Sequence, residues 1–142
     1  MNRTNIEFVN HASVLISHGE INILSDPWYS GAVFHQGWRL LYENSYDKIN
    51  DILKKTTHIY ISHEHPDHFN PGNLKILPNN KTFIFQKTKD KRVINFLKKI
   101  SDKVIELNYN DEFNITDNFS IKVFPFQDID SYSLIKINNK TI

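Results

Sequence analysis

The run "THIYISHEHPDHFN", residues 57–70, constrains the fold more than any other stretch of the chain. Its first half, Thr57 to Ser62, is rich in β-branched and aromatic residues, the composition of a strand. It passes directly into His63-Glu64-His65-Pro66-Asp67-His68. In α/β sheets ligands bind at the C-terminal ends of strands, where this one delivers its polar residues. His63 and His65 lie two apart, so in extended backbone both imidazoles project to one side, as two ligands to one ion must. Glu64 then points the other way. Pro66 fixes its own φ and biases His65 towards extended geometry, which stiffens the turn. Asp67 and His68 follow the turn and can address a second ion or a bound water. The alternative is a polar loop of solvated histidines. Three of the chain's seven histidines and an aspartate in six positions tell against it.

The chain has no cysteine, so disulfides and thiolate ligands are excluded and any metal must be held by imidazole and carboxylate. Two neutral imidazoles plus an oxygen donor suit Zn²⁺, Fe²⁺ or Mn²⁺. A water bound to such an ion has its pKa lowered towards neutrality, and a neighbouring carboxylate can orient it or take its proton. That is the chemistry of hydrolysis, with a small molecule as the expected partner.

The rest of the chain predicts a mixed α/β domain with helices packed on a sheet. Strands are expected at 4–9, 12–17, 21–26, 57–62, 81–86, 103–108, 119–126 and 132–137. Ile49, Ile52 and Leu53 give 47–55 a helical face, and Val93, Phe96, Leu97 and Ile100 give 90–100 a stronger one. Residues 71–77 read as a short helix. Residues 27–46, with six aromatics and no clean period, read as a long loop of the kind that carries function. A length of 142 residues fits one domain. A net charge of +1 offers no electrostatic ground for nucleic acid or an acidic membrane as partner. Lys87, Lys89, Lys91 and Arg92 form the densest basic group, and read as a solvated helix flank. The N-terminus "MNRTNIEFVNH" lacks the apolar run of a signal peptide, and no stretch approaches transmembrane length, so a cytoplasmic location is expected.

The H-x-H-x-D-H form of residues 63–68, behind a hydrophobic strand, resembles the metallo-β-lactamase superfamily. "NHASVLIS" (10–17) and "ILSDPWYSGAVFHQGW" (23–38) look like the branch that holds ascorbate-6-phosphate lactonase and N-acylphosphatidylethanolamine phospholipase D. They look still more like the metallo-β-lactamase-type domain of CMP-N-acetylneuraminate hydroxylase. The resemblance implies an αββα sandwich, of which residues 1–142 would form one partial domain. This would be the N-terminal part, a mixed β-sheet with helices on one face, with the C-terminal half missing. It implies that His63 and His65 bind a first metal, that Asp67 and His68 serve a second, and that Asp67 orients the nucleophilic water or hydroxide. Zinc is the metal expected first, with iron or manganese as alternatives. The superfamily's third histidine would fall near "FPFQDIDS" (124–131), where Asp128 or Asp130 could ligate instead, and Asp128 is taken as the ligand. No histidine follows His68, and the superfamily's bridging aspartate would come just after "NNKTI".

Around this cluster His11, Asp26, Trp28 and His35 are the candidate substrate-side residues. Asp26 could equally hydrogen-bond a metal-ligating imidazole or shape a turn, and His11 could act as a supporting group. Trp28, Tyr29, Phe34 and Trp38 read as core aromatics before pocket walls, and His58 as a structural strand residue. The expected function is a metal-dependent hydrolase whose metal-bound hydroxide attacks a phosphoester, lactone or sugar-nucleotide-like substrate. The alternative is a truncated, catalytically incomplete fragment that binds metal weakly or needs a second chain. An unfinished sheet edge would invite a homo-oligomer. A third reading is one domain of an iron-dependent oxygenase system whose cysteine-bound Rieske cluster lies elsewhere.

Overall fold

The computed structural model describes residues 3–126 and 129–142. The first half of the chain contains β1 (Thr4–Asn10), β2 (Ser13–His18), β3 (Ile21–Ser25), β4 (Ala32–Val33), β5 (Trp38–Arg39), α1 (Tyr46–Lys55) and β6 (His58–Ile61). The second contains α2 (Pro71–Leu74), β7 (Thr82–Gln86), α3 (Arg92–Ile100), β8 (Val104–Leu107), β9 (Glu112–Thr116), β10 (Phe119–Phe126), β11 (Asp130–Ile137) and β12 (Lys140–Thr141).

Strands β1, β2 and β3 pair antiparallel, and β6, β7 and β8 extend the same sheet in parallel from β3. The order β1-β2-β3-β6-β7-β8 advances in one direction through its parallel part, and each parallel step contains a helix. Right-handed crossovers therefore place all three helices on one face. The opposite face is covered by the antiparallel sheet β12-β11-β10-β9. The result is three layers: helices, mixed sheet, antiparallel sheet. A mixed sheet with helices on one face is what the family resemblance implies.

Double coverage explains why β6 and β7 read as nearly unbroken apolar runs. Ile59, Ile61, Phe83 and Phe85 face the helices and pack with Leu74, Val93, Ile94 and Leu97. Tyr60 and Ile84 turn the other way, against Phe119, Ile121, Val123, Ile135 and Ile137 of the second sheet. Helix α1 starts where the Ser45 side chain accepts from the Lys48 N–H, and it buries Ile49, Ile52 and Leu53 against Leu15 and Leu24. Each such aliphatic side chain contributes about 1.5–3 kcal/mol when fully buried.

Two features differ from the sequence expectation. Residues 112–116 form β9, whose only apolar side chains, Phe113 and Ile115, reach the inter-sheet core from an edge strand. Two apolar residues among Asn, Asp, Glu and Thr are too few to mark a strand, because an edge position buries so little. The aromatic loop also folds a small hairpin, β4 with β5, that lifts Phe34 and Trp38 into solvent while Trp28 and Tyr29 are buried. Among the described residues no helix is long and apolar enough to cross a membrane.

Topology gathers the site. Strand β1 is antiparallel to β2, which is antiparallel to β3, so β1 and β3 run the same way and end on the same rim. The residues just past β1, β3 and β6, namely His11, Asp26 and the 62–68 segment, therefore meet there, although up to 57 positions separate them in sequence.

Candidate metal centre

Asp26 anchors the end of β6. Its backbone N–H donates to the Tyr60 carbonyl at 2.9 Å, and its Oδ1 accepts from the Ser62 N–H at 2.7 Å. Its Oδ2 lies 2.7 Å from Ser62 Oγ and 2.9 Å from His68 Nδ1. The Ser62 hydroxyl has one proton to give, and Asp26 takes it. Ser62 Oγ is then the acceptor for His63 Nδ1, 2.9 Å away. One buried carboxylate thus sets the tautomer of two imidazoles, His68 directly and His63 through Ser62. Both rings are left with Nε2 as the free lone pair, the form a metal needs.

Those lone pairs face two clusters. His63 Nε2 lies 2.9 Å from His65 Nδ1 and 3.6 Å from Asp130 Oδ1. In the other cluster, Asp67 Oδ2 is 2.9 Å from His11 Nε2 and 3.4 Å from His68 Nε2. The ligand atoms within each set lie within 4.8 Å of one another. Two donors each about 2.0–2.2 Å from a common ion have a comparable separation. The His63 and His68 rings are 4.0 Å apart between centroids, so the clusters adjoin.

The residues fit a metal on evidence beyond proximity. Asp67 Oδ1 and Asp130 Oδ1, one from each cluster, are buried and have no hydrogen-bond partner among the described residues. An unpaired buried carboxylate oxygen is costly, and a cation would satisfy it. Burial and the neighbouring charge of His68 hold the His63 pKa below the ordinary histidine range. Burial also opposes charge on His68, but its hydrogen bond to Asp26 and the charges of Asp26, Asp67 and Asp130 outweigh it and raise its pKa.

Asp130 opens β11 and is held by its neighbour. Ser131 Oγ donates to the Ser62 carbonyl and accepts from the Tyr60 hydroxyl at 2.8 Å. Gln86, the last residue of β7, donates to the carbonyls of both Ser62 and Ile129. The second sheet is thereby stitched to the histidine-rich turn. Asp128, the other acid of that segment, lies outside the described residues.

Of the substrate-side candidates, Asp26 is buried beneath the clusters and Trp28 packs its buried ring edge-on to His11, with centroids 5.1 Å apart. His11 joins Asp67 and His68. His35 is exposed in the β4–β5 turn, while its neighbour Phe34 meets the His65 ring at 6.2 Å. Glu64 points away from the imidazoles to Arg92, 3.3 Å off. Sequence reasoning missed Ser62, Ser131 and Gln86. Small polar residues at strand ends carry no pattern that marks them, and only Ser62, one residue before the motif, could have been suspected.

A beta-lactamase superfamily domain model matches residues 5–134. The chain belongs to that superfamily. Curated relatives within reach include cytidine monophosphate-N-acetylneuraminic acid hydroxylases. The protein of Asterias rubens is 40% identical over 72 residues, which is 51% of this chain and 11% of that protein. The Danio rerio protein is 34% identical over 76 residues, 54% of this chain and 13% of its own length. The matched region is therefore a small part of each relative. Among solved structures, CmlA, a diiron beta-hydroxylase from Streptomyces venezuelae, aligns with a TM-score of 0.74 at 18% identity, covering 99% of this chain and 29% of its own. A putative metal-dependent hydrolase from Parabacteroides distasonis aligns with a TM-score of 0.61 at 16% identity, over 99% of this chain and 59% of its own. At such identities the superfamily likeness to these structures is one of fold.

Proposed function

We propose that this chain is a metal-dependent hydrolase that acts on a small phosphoester, lactone or sugar-nucleotide-like molecule. The observation that carries the reading is the pair of buried carboxylate oxygens, Asp67 Oδ1 and Asp130 Oδ1, without hydrogen-bond partners among the described residues and beside imidazole nitrogens. His63, His65 and Asp130 would hold one divalent ion, and Asp67 with His68 would serve a second. A bound ion supplies Lewis acidity, lowering the pKa of a coordinated water towards neutrality. Asp67 would orient such a water and take up its proton. Asp26 and Ser62 keep His63 and His68 in the ligating tautomer. Support comes from superfamily membership and from the fold likeness to a putative metal-dependent hydrolase.

The test is metal content and turnover. Chelator-stripped protein reloaded with zinc or iron(II) is expected to hydrolyse a nitrophenyl phosphodiester or a simple lactone. Asp67→Asn is expected to abolish turnover by about 10²-fold or more while the fold is kept. Metal binding with no hydrolysis of either substrate class would sink the hydrolase reading.

One observation favours a second reading, iron-dependent oxidation. Each cluster offers two imidazoles and one carboxylate, the donor set of many non-haem iron(II) oxygenases. Relatives named as hydroxylases occur in both the sequence and the structure comparisons. Oxygen uptake by the iron(II)-loaded chain in the presence of a reductant, absent with zinc, would favour this reading over hydrolysis.

A further inference from the structure

We infer that His11 is a metal ligand, its Nε2 completing a second ion site with Asp67 and His68. The inference rests on the metal reading above and extends it to a residue outside the H-x-H-x-D-H motif.

His68 Nδ1 is committed to Asp26 Oδ2 at 2.9 Å, which leaves Nε2 as the ring nitrogen facing Asp67 Oδ2, 3.4 Å away. His11 Nε2 approaches the same Asp67 oxygen at 2.9 Å from the other side. Three donor atoms of different side chains therefore converge on one point, and the remaining oxygen of Asp67 is buried with no hydrogen-bond partner among the described residues. Among the described residues this carboxylate hydrogen-bonds only His11, and an ion would take the place of the hydrogen between them.

The local chain is shaped to bring the ring there. His11 follows β1 with φ of 46°, the left-handed region that a residue with a Cβ enters at a cost. Asparagine or glycine would take this turn more cheaply. The imidazole is then wedged edge-on between Trp28, with centroids 5.1 Å apart, and His68, at 5.6 Å. His35, an exposed turn residue, shares the left-handed φ at 54°, so what sets the exposed His11 apart is the packing of its ring against Trp28 and His68. The donor chemistry that results, two imidazoles and a carboxylate, repeats that of His63, His65 and Asp130.

The experiment is equilibrium dialysis of the chelator-stripped full chain against zinc(II) alone, for the unaltered protein and His11→Asn. Asparagine tolerates the left-handed backbone, so the variant keeps its fold, checked by circular dichroism. About two zinc ions are expected on the unaltered chain and about one on the variant. The second site should weaken by more than the roughly 10–100-fold lost when a supporting residue is removed. With cobalt(II) in place of zinc, the visible spectrum of the variant should lose the contribution of one site only. If His11→Asn keeps the stoichiometry and affinity of the unaltered chain, the inference is overturned, His11 faces substrate and the metal reading stands. If the unaltered chain binds no zinc, the metal reading itself fails and this inference with it.

Discussion

Asp26 Oδ2 stands 2.9 Å from His68 Nδ1, and that contact leaves Nε2 as the nitrogen His68 would offer to a metal. Through Ser62, 2.7 Å from the same oxygen, the decision extends to His63 in the neighbouring cluster. A single carboxylate therefore commands both halves of the site. Asp26→Asn keeps the shape but can place an amide N–H where the carboxylate oxygen accepted two protons. The expected outcome is a loss of zinc affinity of about 10–100-fold, read by chelator competition. Asp26→Ala also strips the buried Ser62 N–H of its acceptor, so it should further lower stability by about 1–3 kcal/mol in urea unfolding.

Asp130 supplies the carboxylate to a cluster otherwise made of imidazole. Oxygen donors favour harder ions, whereas imidazole suits zinc well. Asp130→His should therefore shift metal preference towards zinc over manganese(II), and Asp130→Ala should weaken the site for both. Paired dialysis against the two ions measures the ratio. An unchanged ratio in Asp130→His would show that Asp130 is not a ligand.

Ile84 is fully buried between the mixed sheet and the second sheet. Ile84→Ala opens a cavity where both layers are fixed by their own hydrogen bonds and cannot readily collapse. The expected cost is about 2–5 kcal/mol, measured by urea or thermal unfolding. Leu41→Ser, at an exposed position, should stay within about 0.5 kcal/mol.

The contrast between these positions explains what the sequence could tell. Strand β6 and its turn were legible because continuous burial on both faces writes an apolar run, and because metal-ligand spacing is local. Helices α1 and α3 were legible from the spacing of their buried faces. Strand β9 was not, since an edge strand commits only Phe113 and Ile115 to the core. Asp128 and Asp130 are two apart, so alternation cannot separate them. The ties from Ser131 to Ser62 and Tyr60, and from Gln86 to Ile129, hold Asp130 beside His63. The place of His11 next to Asp67 depends on β1 and β3 running in the same direction, a relation that no local window contains.

The outer face of the second sheet carries a charge whose effect on stability has a defined sign with pH. Glu112 on β9 accepts from Ser120 Oγ at 2.6 Å and from Lys136 Nζ at 3.2 Å, across the β9–β10–β11 ladder. The Ser120 hydrogen bond first, and then Lys136, hold its pKa below the ordinary glutamate value. The unfolded chain therefore takes up this proton at a higher pH than the folded one. The stabilisation from Glu112 is complete above the unfolded pKa of about 4.3 and is lost as pH falls through the folded value. Glu112→Gln removes it, so the variant should unfold at lower urea than the unaltered chain at pH 7. The two midpoints should draw together as the solution is taken below pH 4. A gap that stays constant across that range would mean that the loss in Glu112→Gln comes from packing and not from the charge.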